Sequence, residues 1–163
     1  MKILKIGAII LAGLIGAYYL AFGVLYLAGY RVYRIPTLAM QPTIQKGEKV
    51  IGRLSESYRS HVVRFDLAIF KTPQAPGEIY VKRVVGLAGE RISIDEKGVR
   101  IDGQPLALPS SVSPAGLGLK RCDLVVPADA VFFLGDFTPN SLDSRYLGPV
   151  PKKDLVGYLV FKK

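Results

Sequence analysis

A hydroxyl attacks a peptide carbonyl only when a neighbouring group takes its proton, and this chain offers few groups for that task. Its 163 residues hold one histidine, His61, and one cysteine, Cys122. His61 is the sole possible base of a histidine triad, and no Gly-x-Ser-x-Gly elbow accompanies it. One Cys and one His cannot assemble a four-ligand zinc site, and a lone Cys cannot close an internal disulfide, so no metal, cofactor or disulfide is expected. Cys122 reads as a packed bystander thiol and His61 as a loop residue. The remaining kind of base is a lysine. A free lysine titrates near ~10.4, so burial must lower its pKa by about 2 to 3 units before it is neutral at working pH. Lys82 lies in Glu78-Ile79-Tyr80-Val81-Lys82-Arg83-Val84-Val85-Gly86, apolar enough for a strand to bury the amine. On these residues alone the favoured reading is a half-buried strand whose lysine reaches solvent.

The elements that would position such a lysine are mostly strands. After Arg34 the chain breaks into short runs punctuated by Pro and Gly, with no helical period. Strands are expected at Lys49 to Arg53, Leu67 to Lys71, Ile79 to Gly86, Arg91 to Asp95, Val99 to Ile101, Ala130 to Leu134 and Leu155 to Phe161. Glu96-Lys97-Gly98 and Asp102-Gly103 mark hairpin turns. This is a mostly β domain, of the kind that bends into barrel-like or coiled antiparallel sheets. Pro105 to Leu119, rich in Ser, Pro and Gly, reads as a surface loop.

Ahead of that domain, Ile6 to Tyr30 runs for 25 residues without a charge. As a helix it is roughly 37 Å long, enough to cross the ~30 Å core of a bilayer with some tilt. A cleaved signal peptide has a shorter apolar stretch, so an uncleaved single-pass anchor over residues 1–30 and a β-rich domain over residues 31–163 are expected, joined by a short flexible hinge at Tyr30 to Arg34. Lys2 and Lys5 oppose Arg31 and Arg34, so charge alone does not orient the span. The formal net charge is +9, with basic residues scattered rather than gathered in a stripe. That pattern favours membrane lipids over nucleic acid as the partner of the positive surface.

Three stretches, in order behind the apolar segment, resemble the type I signal peptidases. Ala39-Met40-Gln41-Pro42-Thr43 matches the family's Ser-Met-x-Pro-Thr motif except at its first position. Lys82-Arg83-Val84-Val85-Gly86-Leu87-Ala88-Gly89-Glu90 matches the run that carries the family's general base, with Glu for the final Asp. Gly135 to Arg145 matches the late Gly-Asp-Asn-x-x-Asn-Ser-x-Asp-Ser-Arg loop, with Phe137 for the first Asn. The resemblance implies a signal-peptidase-like fold of coiled antiparallel sheets behind one transmembrane helix. It places Ala39 at the nucleophile position and makes Lys82 the general base. Thr37 and the N–H of Ala39 would form the oxyanion hole. By the same resemblance Ser141 hydrogen-bonds the lysine amine, and Asp143 and Arg145 form a supporting ion pair near Arg83.

The implied activity is a membrane-bound serine endopeptidase that removes signal peptides from exported preproteins at the outer face of the cytoplasmic membrane. Substrates would carry small residues at the first and third positions before the cut and bind as an added strand. Met40 and its apolar neighbours would then face the bilayer. A methyl group has no attacking oxygen, and in another serine protease loss of the nucleophile costs about 10⁶ in turnover, so the chain with Ala39 is expected to be inactive. Retention of Lys82, Ser141, Asp143 and Arg145 favours an introduced Ser→Ala change over natural decay. Two alternatives share these residues: a conjugative-transfer peptidase that matures pilin precursors, and a catalytically silent assembly factor that holds precursors uncut.

Overall fold

The structure is a computed structural model that describes residues 2–72 and 77–160. The chain opens with helix α1 (Lys2–Leu27). Eleven strands follow: β1 (Tyr30–Arg34), β2 (Lys49–Leu54), β3 (Leu67–Phe70), β4 (Tyr80–Gly86), β5 (Arg91–Asp95), β6 (Gly98–Ile101), β7 (Gln104–Pro105), β8 (Cys122–Val125), β9 (Ala130–Leu134), β10 (Val150–Pro151) and β11 (Leu155–Leu159). A short helix, α2 (Ser144–Leu147), precedes β10. All seven strands expected from the sequence form; the Phe161 end of the last lies outside the described residues.

Ile9–Leu27 within α1 is long and apolar enough to cross a membrane, and none of that window is buried against the rest of the chain. The expected hinge is not a hinge. Tyr30–Arg34 is β1, paired antiparallel with β2 along its whole length from Tyr30↔Arg53 to Arg34↔Lys49. Its aromatic and β-branched residues, Tyr30, Val32 and Tyr33, suit a pleated ladder, and the pairing joins the end of α1 directly to the sheet.

The strands form two antiparallel sheets. The larger has the order β1-β2-β11-β3-β4-β9-β10 and the smaller the order β7-β6-β5-β8. The expected turns close the β5–β6 and β6–β7 hairpins, with Gly98, Asp102 and Gly103 at positive φ as such tight turns require. β4 lies inside the larger sheet between β3 and β9 and is buried from Val81 to Gly86. Strands nearer the edges keep a period of two, as in β2 with its alternating exposed and buried residues. One apolar cluster, with Ile92, Leu117 and Phe132, joins the two sheets. A second gathers Phe70, Val84 and Phe133.

A third cluster packs Ile35, Met40, Ile44 and Val50 against Leu67, Ile69 and Val81. Met40 is 1% exposed and belongs to this core, so it does not face a bilayer. Burying Met40 instead pins the loop that carries Ala39 onto β3 and β4. Pro105 to Leu119 also departs from a plain surface loop. Its end is a 3₁₀ turn, Pro114–Leu119, capped by the Ser113 hydroxyl, with Gly116 and Leu117 buried. A Cβ on Gly116 would meet the Pro139 nitrogen at 2.3 Å, so the absence of a side chain lets this turn dock on the late loop.

Candidate functional site

Ala39 and Lys82 line one groove of about 420 Å³. It is lined by the segment from Ile35 to Ala39 and the segment from Glu78 to Lys82, together with Lys46, Asn140 and Leu142. Pro36 to Leu38 and Glu78 to Ile79 lie outside the sheet ladders, so an extended peptide has main chain to meet on both sides. Ile79 and Leu142 are 42% and 50% exposed and form an apolar rim.

Lys82 does not reach solvent. It is 4% exposed, because β4 has a strand on either side and Ala68 of β3 directly opposite. Burial lowers its pKa from 10.5 to about 8, against the pull of the Asp143 and Asp136 carboxylates, which favour the charged amine. The Tyr80 ring centroid is 5.7 Å from Nζ, and that ring stacks on Phe70 at 5.8 Å. The groove that Ala39 lines thus also holds an amine that gives up its proton near pH 8.

Two buried ion pairs fix the loops around this amine. Arg83, the next residue of β4, donates from Nε to Asp136 Oδ1 at 2.7 Å and from Nη2 to Asp136 Oδ2 at 2.6 Å. The Thr43 hydroxyl donates to the same carboxylate. One carboxylate therefore clamps β4, the late loop and the segment just after Ala39. The second pair is Asp143 with Arg145, both fully buried, joined at 2.9 Å through Nε and again at 2.9 Å through Nη2. Arg145 also donates to the carbonyls of Gly116 at 2.6 Å and Thr138 at 2.8 Å, while Asp143 accepts from Gly135 N–H at 3.1 Å. The expected Asp143–Arg145 pair forms. The guanidinium of Arg83 is bound to a different carboxylate, Asp136, to which the sequence reading gave no role.

Ser141 is 7% exposed, and its Oγ has no hydrogen-bond partner among the described residues. The expected bond from Ser141 to the Lys82 amine is not made in this structure. The hydroxyl is packed against Gly135 instead: a Cβ on Gly135 would lie 2.1 Å from Ser141 Oγ and 2.6 Å from the carbonyl oxygen of Ala39. Both oxygens thus crowd one point beside the groove.

The Ala39 carbonyl accepts from Phe137 N–H at 3.0 Å, whereas no backbone carbonyl among the described residues takes the Ala39 N–H. Thr37, two residues earlier, is exposed on the same groove wall. Thr37 and Ala39 thus share one wall of the groove.

His61 is exposed, its Nδ1 2.8 Å from the Ser57 carbonyl, and it lines a separate cavity with Arg53, Ser55 and Asp66. Cys122 packs at the edge of the inter-sheet core, and burial pushes its thiol up to about 11, so it stays protonated. Among the described residues no group of three or more His, Cys, Asp or Glu is placed to hold a metal.

Thr43 and Asp136 are the site residues that the sequence reading left without a task. Both stand inside motifs already singled out, so their positions were visible and their contact, 93 residues apart in the chain, was not. Gly116 and Thr138 gave no signal, because only the folded late loop brings them to Arg145.

The family described as "Signal peptidase, peptidase S26" matches residues 6–162. Signal peptidase I V of Bacillus subtilis (strain 168) is 31% identical over 140 residues, covering 78% of this chain and 82% of that protein. The probable signal peptidase I-1 of a Synechocystis species is 29% identical over 136 residues, covering 78% of this chain and 68% of its own. Among solved structures, a signal peptidase I from Enterococcus faecalis V583 superposes with a TM-score of 0.50 at 29% identity, covering 60% of this chain and 96% of that one.

Proposed function

The chain belongs to the signal peptidase family, peptidase S26, a family of membrane serine proteases that remove signal peptides, and on that premise we propose a Ser/Lys endopeptidase in which Ala39 occupies the place of the nucleophile. The observation that carries this reading is the buried Lys82 amine, held near a pKa of about 8 in the groove that Ala39 also lines. With a serine at position 39, neutral Lys82 takes the hydroxyl proton as the oxygen attacks the carbonyl of the scissile bond, and returns it to the leaving amine. The Ala39 N–H and the Thr37 hydroxyl stabilise the oxyanion. Asp136, Arg83 and Thr43 hold the position-39 loop against β4, and Asp143 with Arg145 holds the loop that carries Ser141. The chain with Ala39 lacks the attacking oxygen and does not cleave.

The substrate is an exported preprotein whose segment before the cut lies extended between the two groove walls, with small side chains at the first and third positions before the scissile bond. Substrate reaches the groove at the outer face of the cytoplasmic membrane, in which α1 is the single span. The test of specificity uses the Ala39→Ser chain in detergent with two preproteins that differ only in those two positions, alanine against leucine. The alanine form is expected to be cut at that bond and the leucine form left whole. Equal cleavage of both, or of neither, would overturn the proposed substrate class.

A further inference from the structure

The groove where α1 meets the larger sheet lies apart from the site above. Phe22, Leu25 and Tyr26 from the last turns of α1 face Val32, Ile51 and Val160 across a cavity of about 710 Å³. Val32 and Ile51 are direct partners in the β1–β2 ladder, so their side chains share one face of the sheet. Val32 is 63% exposed, and an apolar surface of this kind beside a spanning helix has hydrocarbon, not water, as its natural solvent.

The polar rim of the groove is cationic. On the same sheet face the flanking ladder partners are Tyr30 with Arg53 and Arg34 with Lys49, and neither strand carries an acid. Arg31, a β1 residue, reaches back to the end of α1, where helix carbonyls lack intrahelical donors. Its Nη1 donates to the Tyr26 carbonyl at 2.7 Å and the Tyr30 carbonyl at 2.8 Å, and its guanidinium lies 3.5 Å from the centroid of the Tyr26 ring. The group is fixed in place with Nε and Nη2 not used in these bonds. Arg53 lies over the Tyr30 ring at 5.8 Å but lines the separate cavity with His61 and Asp66, so Arg31 is the cation that lines this groove among the described residues.

We propose that this groove seats one anionic phospholipid, with an acyl chain against Phe22, Val32 and Ile51 and the phosphate on Arg31. The apolar walls continue the surface of α1, so a lipid beside the helix enters without leaving hydrocarbon, and Arg31 selects the anionic headgroup. The inference rests on the reading of α1 as a membrane span and is independent of the roles of Ala39 and Lys82.

The test uses the full chain, with Ala39, in phosphatidylcholine nanodiscs doped at equal mole fraction with either phosphatidylglycerol or phosphatidylcholine that carries a photoreactive group on its acyl chain. Labelled peptides are identified by mass spectrometry. Phosphatidylglycerol is expected to label β1 and β2 about fivefold more than phosphatidylcholine, the effect of about one cation at an anionic lipid surface. Arg31→Gln is expected to remove most of that preference while labelling of α1 between Ile9 and Leu20 stays the same. Arg53→Gln, a change in the separate cavity that leaves the end of α1 untouched, is expected to keep the preference, and its loss there would overturn the assignment to Arg31. Equal labelling of the two strands by both lipids, or label confined to α1, would overturn the proposal. Absence of label on α1 itself would overturn the reading of α1 as a span, and the proposal with it.

Discussion

Burying an amine makes the fold less stable than it would otherwise be, and replacing Lys82 by methionine exposes that cost. In the folded chain the Lys82 pKa is about 8, against 10.5 for the free side chain. Below pH 8 the group is charged in both states, and the folded state carries the full penalty of holding it out of water. The difference between the two values corresponds to about 3 kcal/mol. As pH rises from about 8 to above 10.5, the unfolded chain binds more protons than the folded one, so stability rises and the penalty disappears. Methionine fills a similar volume without a charge, and Asp143 and Asp136 keep Arg145 and Arg83 as partners. Lys82→Met is therefore expected to raise stability by about 3 kcal/mol at pH 7, about 6 to 12 °C in Tm for a chain of this size. The gain should shrink towards zero by pH 11. Scanning calorimetry of both chains in one detergent, at several pH values from 7 to 11, reads it. A Lys82→Met chain that melts no higher than the unsubstituted chain at pH 7, or a gap that does not change with pH, would refute the reasoning.

The same titration sets the activity of the Ala39→Ser chain. The neutral fraction of Lys82 rises from about 10% at pH 7 to about 90% at pH 9, so kcat/KM should rise about tenfold and then level off; a rise that continues beyond pH 10 would mean an unperturbed lysine. Gly135→Ala drives a methyl group onto Ser141 Oγ and the Ala39 carbonyl, 2.1 and 2.6 Å away. It should lower stability by about 1 to 3 kcal/mol or more and abolish cleavage when combined with Ala39→Ser, measured by denaturation and by product formation. Asp143→Asn leaves the fully buried Arg145 guanidinium without its counter-charge and should cost about 3 to 5 kcal/mol in urea unfolding, far more than a surface exchange such as Asp123→Asn at an exposed pair.

Local patterns in the sequence carried most of the strand assignments, and long-range partners carried the rest. β4 was legible because Ile79 to Gly86 is an apolar run bounded by turn residues, and the β5–β6 hairpin because Gly98 sits where a positive φ is needed. β1 looks like a hinge in sequence: five residues with two arginines give little periodic signal, and only the ladder with β2 makes them a strand. The burial of Met40 depended on the third core cluster, which draws on residues from Ile35 to Val81. At the site, the motifs single out Lys82, Ser141, Asp143 and Arg145, yet lysine burial follows from the position of β4 inside the sheet, which sequence alone does not order. The Arg83–Asp136–Thr43 clamp and the docking of Gly116 under Arg145 join segments far apart in the chain, so no local pattern reports them.

The most direct measurement of the central claim is cleavage of one preprotein, with alanines before its processing site, by three purified chains in the same detergent at pH 9: Ala39, Ala39→Ser, and Ala39→Ser with Lys82→Met. Only Ala39→Ser is expected to release the mature protein, with its new N-terminus directly after the second alanine. Cleavage by the Lys82→Met form would show that Lys82 is not the base, and no cleavage by Ala39→Ser would contradict the account at its root, leaving a chain that holds precursors without cutting them.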